Sequence, residues 1–310
     1  MLGTRRQGKR GSGRIGVAFG RDGLAAVRLA AGGRDRPPRL VDCTRLAGTD
    51  PRSLAAELER WADEHGGRRP VNAVLAPGEY QLLQIEAPPV PATEMRQAAA
   101  WRIRDLIDYP VDQAVVDTFD PPDSAGRGQP SVNVVVAHRA VIAERAEQIR
   151  EAGLKLETIE VPELAQGNVS GRLPEARGGH ALLALDEADG LITVYRDGEQ
   201  FLARTLDSGR AALAAATTDE VSEALLLEVQ RSFDYFESAL SQPPLGALYL
   251  YPAEDAVDAF ARSVEHNLAS VSCRSIAIGD IVAVEAEPAQ GDATLLRAVG
   301  AGLRDLEGGA

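Results

Sequence analysis

Lysine is almost absent from this chain. Of its 33 basic side chains all but Lys9 and Lys155 are arginine, so chemistry that needs a buried lysine has almost no candidates. Cysteine is as scarce. Cys43 and Cys273 stand far apart and offer neither a disulfide framework nor metal-site spacing. No apolar run approaches the ~20 residues that a membrane-spanning helix needs. Residues 1–14 are basic but lack an apolar stretch, so a secretory signal is not expected there, and the chain reads as cytoplasmic. G-x-S-x-G, H-E-x-x-H and C-x-x-C are all missing, which removes common signs of serine hydrolases, zinc peptidases and dithiol redox sites. The four histidines, His65, His138, His180 and His266, fall at four separate element ends and read as surface or helix-end residues, not ligands.

What is present is acid. The 310 residues carry 46 acidic side chains against 33 basic ones, a net charge of −13. Residues 1–14 hold Arg5, Arg6, Lys9, Arg10 and Arg14 with no acid, leaving 28 basic against 46 acidic groups, −18, on the remainder. Such a body repels phosphates, so nucleic acid is not an expected partner. The basic arm can touch an anionic surface or a partner; its plainer reading is a disordered, solubilising terminus. At 310 residues and 45% apolar composition, the chain exceeds one small core and predicts two lobes, or one domain with an insertion.

The element order repeats. Arg14–Gly20, Leu24–Ala30 and Leu40–Leu46 read as strands, with Arg21-Asp22-Gly23 as a tight turn. A helix follows from Asp50 and Pro51, with Leu54, Leu58, Trp61 and Ala62 on one face and Gly66-Gly67 as its stop. Val71–Ala76 is the next strand. His180–Leu185, Leu191–Arg196 and Gln200–Leu206 give a second set, with a turn at Asp197-Gly198. A long helix over about Thr218–Leu240 follows, with Val221, Leu225, Glu228, Phe233 and Phe236 near its buried side. The strand Leu245–Tyr251, a helix over Asp255–Asn267, the strand Val271–Ile276 and a helix over Ala293–Leu306 complete this half. Strand-strand-strand-helix-strand thus appears twice and predicts mixed sheets with helices on their faces, and a cleft between the lobes.

Between the repeats lies an insertion. It is predicted as a strand (Tyr80–Glu86), a helix (Pro91–Tyr109, with Met95, Ala99, Ile103, Leu106 and Ile107 on one face), strands Ala114–Phe119 and Val132–Ala137 around a turn-rich loop Asp120–Pro130, and a helix Arg139–Ala152. About 70 residues suffice for a module with its own core.

Two nucleotide motifs match only on paper. Gly3–Lys9 fits the first seven positions of a P-loop, but Arg10 stands where Ser or Thr must hold magnesium, and no strand precedes it. Gly11–Gly16 spells G-x-G-x-x-G but leads into a strand instead of opening a helix, which the pyrophosphate site requires. The hairpin Ile15–Gly23 remains. Its glycines permit close backbone approach to a phosphate, and an ordinary glycine-rich hairpin reads the same way.

Several strings, taken in order, resemble one family. Ile15–Gly20 (IGVAFG) looks like an opening I-G-[IV]-D-[IF]-G strand. Ala98–Pro110 (AAAWRIRDLIDYP), Asn133–Ala137 (NVVVA) and Glu151–Leu154 (EAGL) resemble the family's inserted subdomain. Leu182–Gly198 looks like its second phosphate hairpin, and Glu228–Glu237 (EVQRSFDYFE) is similar to its long E-[IL]-[QR]-R-S-[LF]-[DE]-[FY]-[FY] helix. Over roughly residues 14–305 the chain resembles the PilM-like, actin-fold proteins of type IV pilus assembly, and among them the MshI proteins of mannose-sensitive haemagglutinin (MSHA) pilus biogenesis.

The resemblance implies an α/β fold: an actin-like (ribonuclease H-like) arrangement of two lobes with mixed sheets and an inserted α+β subdomain. Residues 1–13 would be the basic arm, 14–79 the first lobe, 80–154 the insertion, 155–177 a return helix of the first lobe and 178–310 the second lobe. It also implies a cytoplasmic scaffold, peripheral to the inner membrane, that binds the N-terminal cytoplasmic segment of a PilN-like inner-membrane protein alongside other platform proteins. The alternative implied by the superfamily is an ATP-binding switch or weak ATPase.

Departures from the family pattern bear on that choice. Ala18 stands at the first hairpin's acidic position, and Arg21-Asp22 replaces hydroxyl residues in the turn. Ala184-Leu185-Asp186 replaces the second hairpin's D-[IL]-G, and Tyr251-Pro252-Ala253 the glycine pair beside the adenosine. Magnesium and phosphate binding needs those carboxylates and glycines. No cofactor is therefore expected, ATP with magnesium being the one candidate, and no catalytic or metal residue is assigned. Gly16, Gly20, Glu228 and Arg231 are retained and are the candidates for a residual nucleotide site, although packing accounts for them equally well. A membrane-tethering helix is not expected at Leu295–Leu306, which is short and flanked by Asp292 and Asp305.

Overall fold

A computed structural model of the protein describes residues 13–32, 36–65, 69–122, 130–174, 178–215, 220–268, 270–286, 291–304 and 306. The expected basic arm up to residue 12, the Gly66-Gly67 stop, the helix start at Thr218, Asp305 and most of the 120–130 loop lie outside the described residues.

The first sheet starts with a meander: β1 (Gly13–Gly20), β2 (Gly23–Ala30) and β3 (Arg39–Ala47). The β1–β2 loop is the two residues Arg21 and Asp22, with Gly20 opposite Gly23. Gly23 has φ +146°, and a Cβ on it would strike the Leu46 carbonyl at 2.0 Å, so only glycine serves there. Helix α1 (Pro51–Glu64) starts where Asp50 accepts a hydrogen bond from the Ser53 amide at 2.9 Å. Pro51 occupies a position whose N–H would be unsatisfied anyway. Leu54, Ala55, Leu58, Trp61 and Ala62 are buried at helical spacing. β4 (Pro70–Val74) then runs parallel to β1.

The insertion folds as β5 (Tyr80–Glu86), α2 (Ala92–Ile103), β6 (Ala114–Phe119), β7 (Ser131–His138) and α3 (Arg139–Glu151). Its antiparallel sheet has the order β5-β7-β6. Ala99, Ile103 and Ile107 from the α2 side cover Ala114, Val132, Val134 and Val136, forming a small separate core. α2 ends at Ile103, short of the predicted Tyr109, so Leu106 does not join the buried face and is 56% exposed. α3 leaves this sheet and delivers Ile149 to the first lobe's core beside α1. The segment expected to return as a helix begins instead with a strand, β8 (Lys155–Glu160), parallel to β4, and only then forms α4 (Pro162–Ser170).

The second sheet repeats the meander in β9 (His180–Leu185), β10 (Gly190–Arg196) and β11 (Glu199–Leu206). Asp197 and Gly198 turn the β10–β11 hairpin with φ of 54° and 78°, as a type I′ turn demands. A short helix α5 (Arg210–Ala215), absent from the sequence reading, precedes α6 (Glu220–Asp234), which continues through a π-helical turn at Tyr235–Ala239. β12 (Ala247–Tyr251), α7 (Asp255–Asn267), β13 (Ser272–Ser275), β14 (Ala283–Val284) and α8 (Ala293–Leu303) follow.

The two sheets share one topology. Their orders are β14-β3-β2-β1-β4-β8 and β11-β10-β9-β12-β13, each a meander followed by parallel strands. Helices α1 and α3 cover the outer face of the first sheet, and α6 and α7 that of the second. Between the sheets lie α4 and α8, whose Ala165, Val169, Leu295, Leu296 and Val299 share one core with Val27 and Leu29 of the first sheet and Leu182 and Tyr249 of the second.

The end of the chain crosses back. β14 pairs with β3, and α8 lies against β1 and β2, so residues 178–310 supply an edge strand and a helix to the first lobe as well as the whole second sheet. The cause is the composition of α8: every residue from Ala293 to Leu303 is buried, and a helix apolar on nearly all sides, Thr294 and Arg297 excepted, must be covered on all sides.

Candidate functional site

The two meander turns face each other across a cleft. Arg21 and Asp22 form one wall, Asp186, Glu187, Ala188 and Asp189 the other, and the N-terminal turn of α8 forms the floor through Asp292, Thr294 and Arg297. The cavity between them is about 250 Å³, below the ~300 Å³ at which small-molecule pockets usually begin.

Charge fills it. Arg21 reaches Asp189 at 2.5 Å, and Arg297, 2% exposed, reaches Asp186 at 2.7 Å. Arg45 bonds Asp22 at 2.5 Å and Asp292 at 2.9 Å. Arg210 bonds Glu187 at 2.7 Å. Burial pushes the Asp186 carboxyl up, the Arg297 charge opposing it and Asp189 adding to it. Behind α8, Tyr80 of β5 donates to both oxygens of Glu163 on α4 at 2.8 Å. Burial raises the Glu163 carboxyl as well, against the pull of the Tyr80 hydrogen bond and Arg297.

The lining fits a magnesium nucleotide poorly. Ala18 and Ala184, at the positions where the resemblance expects acids, are fully buried in the interlobe core. The amides that open α5 are spent: Arg210 N–H and Ala211 N–H donate to the carbonyls of Asp186 and Glu187 at 2.9 and 3.0 Å. Asp292 caps α8 by accepting from Leu295 N–H at 2.8 Å. A phosphate entering here would meet five carboxylates, and every lining arginine already holds one. Tyr251, where the family pattern has its glycine pair, is 1% exposed and packed in the same core. Among the described residues, no group of three His, Cys, Asp or Glu side chains has metal-binding geometry.

The four candidate residues are not brought together. Gly20 lines the cavity. Gly16 lies beneath α8, where a Cβ would meet the Ala298 carbonyl. Glu228 and Arg231 pair with each other at 2.5 Å on α6, and Glu228 also bonds Arg204 of β11 at 2.9 Å; neither lines the cleft. Arg45, Asp292 and Arg297 were not site candidates in the sequence, because Arg45 reaches the first turn from the neighbouring strand β3 and Asp292 and Arg297 arrive only with the returning helix.

No protein-family model and no curated protein matches the sequence. Solved structures do. A chain of the PilM-PilN type IV pilus biogenesis complex superposes with a TM-score of 0.70 at 21% identity, covering 94% of this chain and 98% of that one. The cytoplasmic domain of EpsL, an inner-membrane component of the type II secretion system of Vibrio cholerae, gives 0.54 at 14% identity and 94% coverage of both chains. A Bacteroides thetaiotaomicron protein described as having an actin-like ATPase fold and unknown function gives 0.50 at 10% identity, over 87% of this chain and 93% of that one.

The fold is actin-like. Its two lobes are the repeated sheets, and β5, α2, β6 and β7 form the inserted subdomain of this actin-like chain.

A second concavity lies on that insertion. β6 is the edge of its sheet. Beside that edge a groove of about 670 Å³ runs between β6 and α2, lined by Thr93, Arg96, Gln97, Ala100, Val116 and Thr118 among others. Trp101, 61% exposed, is the next residue of α2 after Ala100. Among the described residues no helix is long and apolar enough to cross a membrane.

Proposed function

We propose that this chain is an assembly protein of a type IV pilus platform of the MSHA kind. It acts on the cytoplasmic face of the inner membrane and holds the N-terminal cytoplasmic segment of a PilN-like membrane protein. One observation carries the reading: the likeness to a chain of the PilM-PilN complex covers 94% of this chain. The uncovered share is far shorter than residues 80–154, so the likeness takes in the inserted subdomain as well as the two lobes. The misfit of the cleft to a magnesium nucleotide favours this scaffold over an ATP-driven switch.

We assign the segment to the α2–β6 groove. An edge strand presents unpaired backbone groups that an extended peptide can complete, and Trp101 supplies an aromatic anchor of the kind that carries binding energy. Calorimetric titration of the whole protein with synthetic N-terminal segments of PilN-like and PilO-like proteins tests the reading. Saturable binding to the PilN-like segment is expected; no heat with any of them overturns it.

A further inference from the structure

Two ion pairs cross the cleft. Arg21, in the first meander turn, meets Asp189 in the second, and Arg297, on the helix that lies against β1, meets Asp186 at the end of β9. Arg45 braces the first-lobe side by holding Asp22 and the α8 cap Asp292 at once. A ligand in an interlobe cleft ordinarily joins the lobes by touching both walls. Here the walls touch each other.

We propose that Arg21–Asp189 and Arg297–Asp186 form a latch that closes the cleft in place of a nucleotide, so that the lobes are held in register by this chain's own charges. The two pairs differ in kind. Arg21 is two-thirds exposed, so its pair is screened by salt and acts as the outer, adjustable part. Arg297 is buried, so losing its partner strands a charge inside the protein, and its pair is the fixed inner part. The latch is independent of the partner assigned above: a chain that bound no membrane-protein segment would still be closed by it.

Amide hydrogen exchange on the whole protein tests the latch at residues 20–23 and 186–190. The single variants Arg21→Asp and Asp189→Arg place like charges face to face and are expected to speed exchange in both turns about tenfold. The double variant, with the charges exchanged, is expected to return most of that protection. Exchange in α2 and β6, remote from the cleft, reports that each variant remains folded. Millimolar ATP with magnesium is expected to leave the wild-type turns unchanged. Single variants that exchange like wild type, a double variant no better than the singles, or protection of the wild-type turns by ATP with magnesium would each overturn the proposal.

Discussion

The carbonyl oxygen of Ala298 stands where a side chain on Gly16 would have to go: a Cβ there would lie 1.9 Å from that oxygen and 2.6 Å from the Gly302 nitrogen. Both contacts are with backbone, which cannot rotate away. On its other side α8 meets α4 in the same manner, a Cβ on Gly300 falling 2.1 Å from the Ala165 carbonyl. The helix that joins the lobes is therefore gripped on two sides at backbone distance.

Gly16→Ala should cost about 3 kcal/mol or more, the upper end of overpacking penalties. Urea unfolding followed by circular dichroism checks this, and a loss below ~1 kcal/mol would show that α8 can back away from β1.

Removing Arg297 should be worse than removing the pair. Arg297→Met leaves the part-buried Asp186 without its cation and should cost about 1–3 kcal/mol, whereas Arg297→Met with Asp186→Leu should regain a large part of it. A double variant as unstable as the single would place the role of Arg297 elsewhere.

Glu163 and Asp186 give stability a pH dependence of definite sign. Burial raises both carboxyls, so the folded chain binds these protons more readily than the unfolded one. Their contribution is full below the unfolded value of about 4 and is lost as pH climbs through the folded values. The melting temperature should therefore fall as pH rises above the unfolded value of about 4, and fall less in Glu163→Gln. Glu157, held low by its hydrogen bond from Arg14, acts in the opposite sense and only at the acid end, where protonation removes its contribution. A wild-type melting curve that is flat over the neutral range would contradict this assignment.

The α2–β6 groove makes a prediction for binding that leaves the fold alone. Trp101→Ala and Gln97→Lys should each weaken capture of a PilN-like segment at least about tenfold, the loss typical of an anchoring contact, with melting temperature unchanged because both residues are exposed. Titration of each variant beside wild type decides it.

Much of the architecture was legible in the residues. Period-two apolar runs marked the meanders, Asp197-Gly198 marked its turn, and Asp50-Pro51 marked the start of α1, each a local rule acting over a few residues. Those same local rules misplaced the end of α2, since Leu106 and Ile107 continue the apolar spacing, but the helix stops at Ile103 and only Ile107 reaches the core. The candidate site was far less legible. Gly16 and Gly20 sit four residues apart on one strand, yet one accommodates a helix and the other lines the cavity. Glu228 and Arg231 satisfy a string resemblance while pairing on the far side of the second lobe.

The sequence by itself determined the repeated order of elements, the further stretch of strands and helices between the repeats and a net charge of −13. Those properties depend on neighbours in the chain and on composition, so no coordinates were required to read them. Tertiary structure alone decided which side chains meet across the cleft. Arg21 and Asp189, or Arg297 and Asp186, lie more than a hundred residues apart, and nothing local pairs them. They meet because α8, apolar on every side but for Arg297 and Thr294, can bury itself only between the two sheets, and in doing so carries its one cation into the cleft.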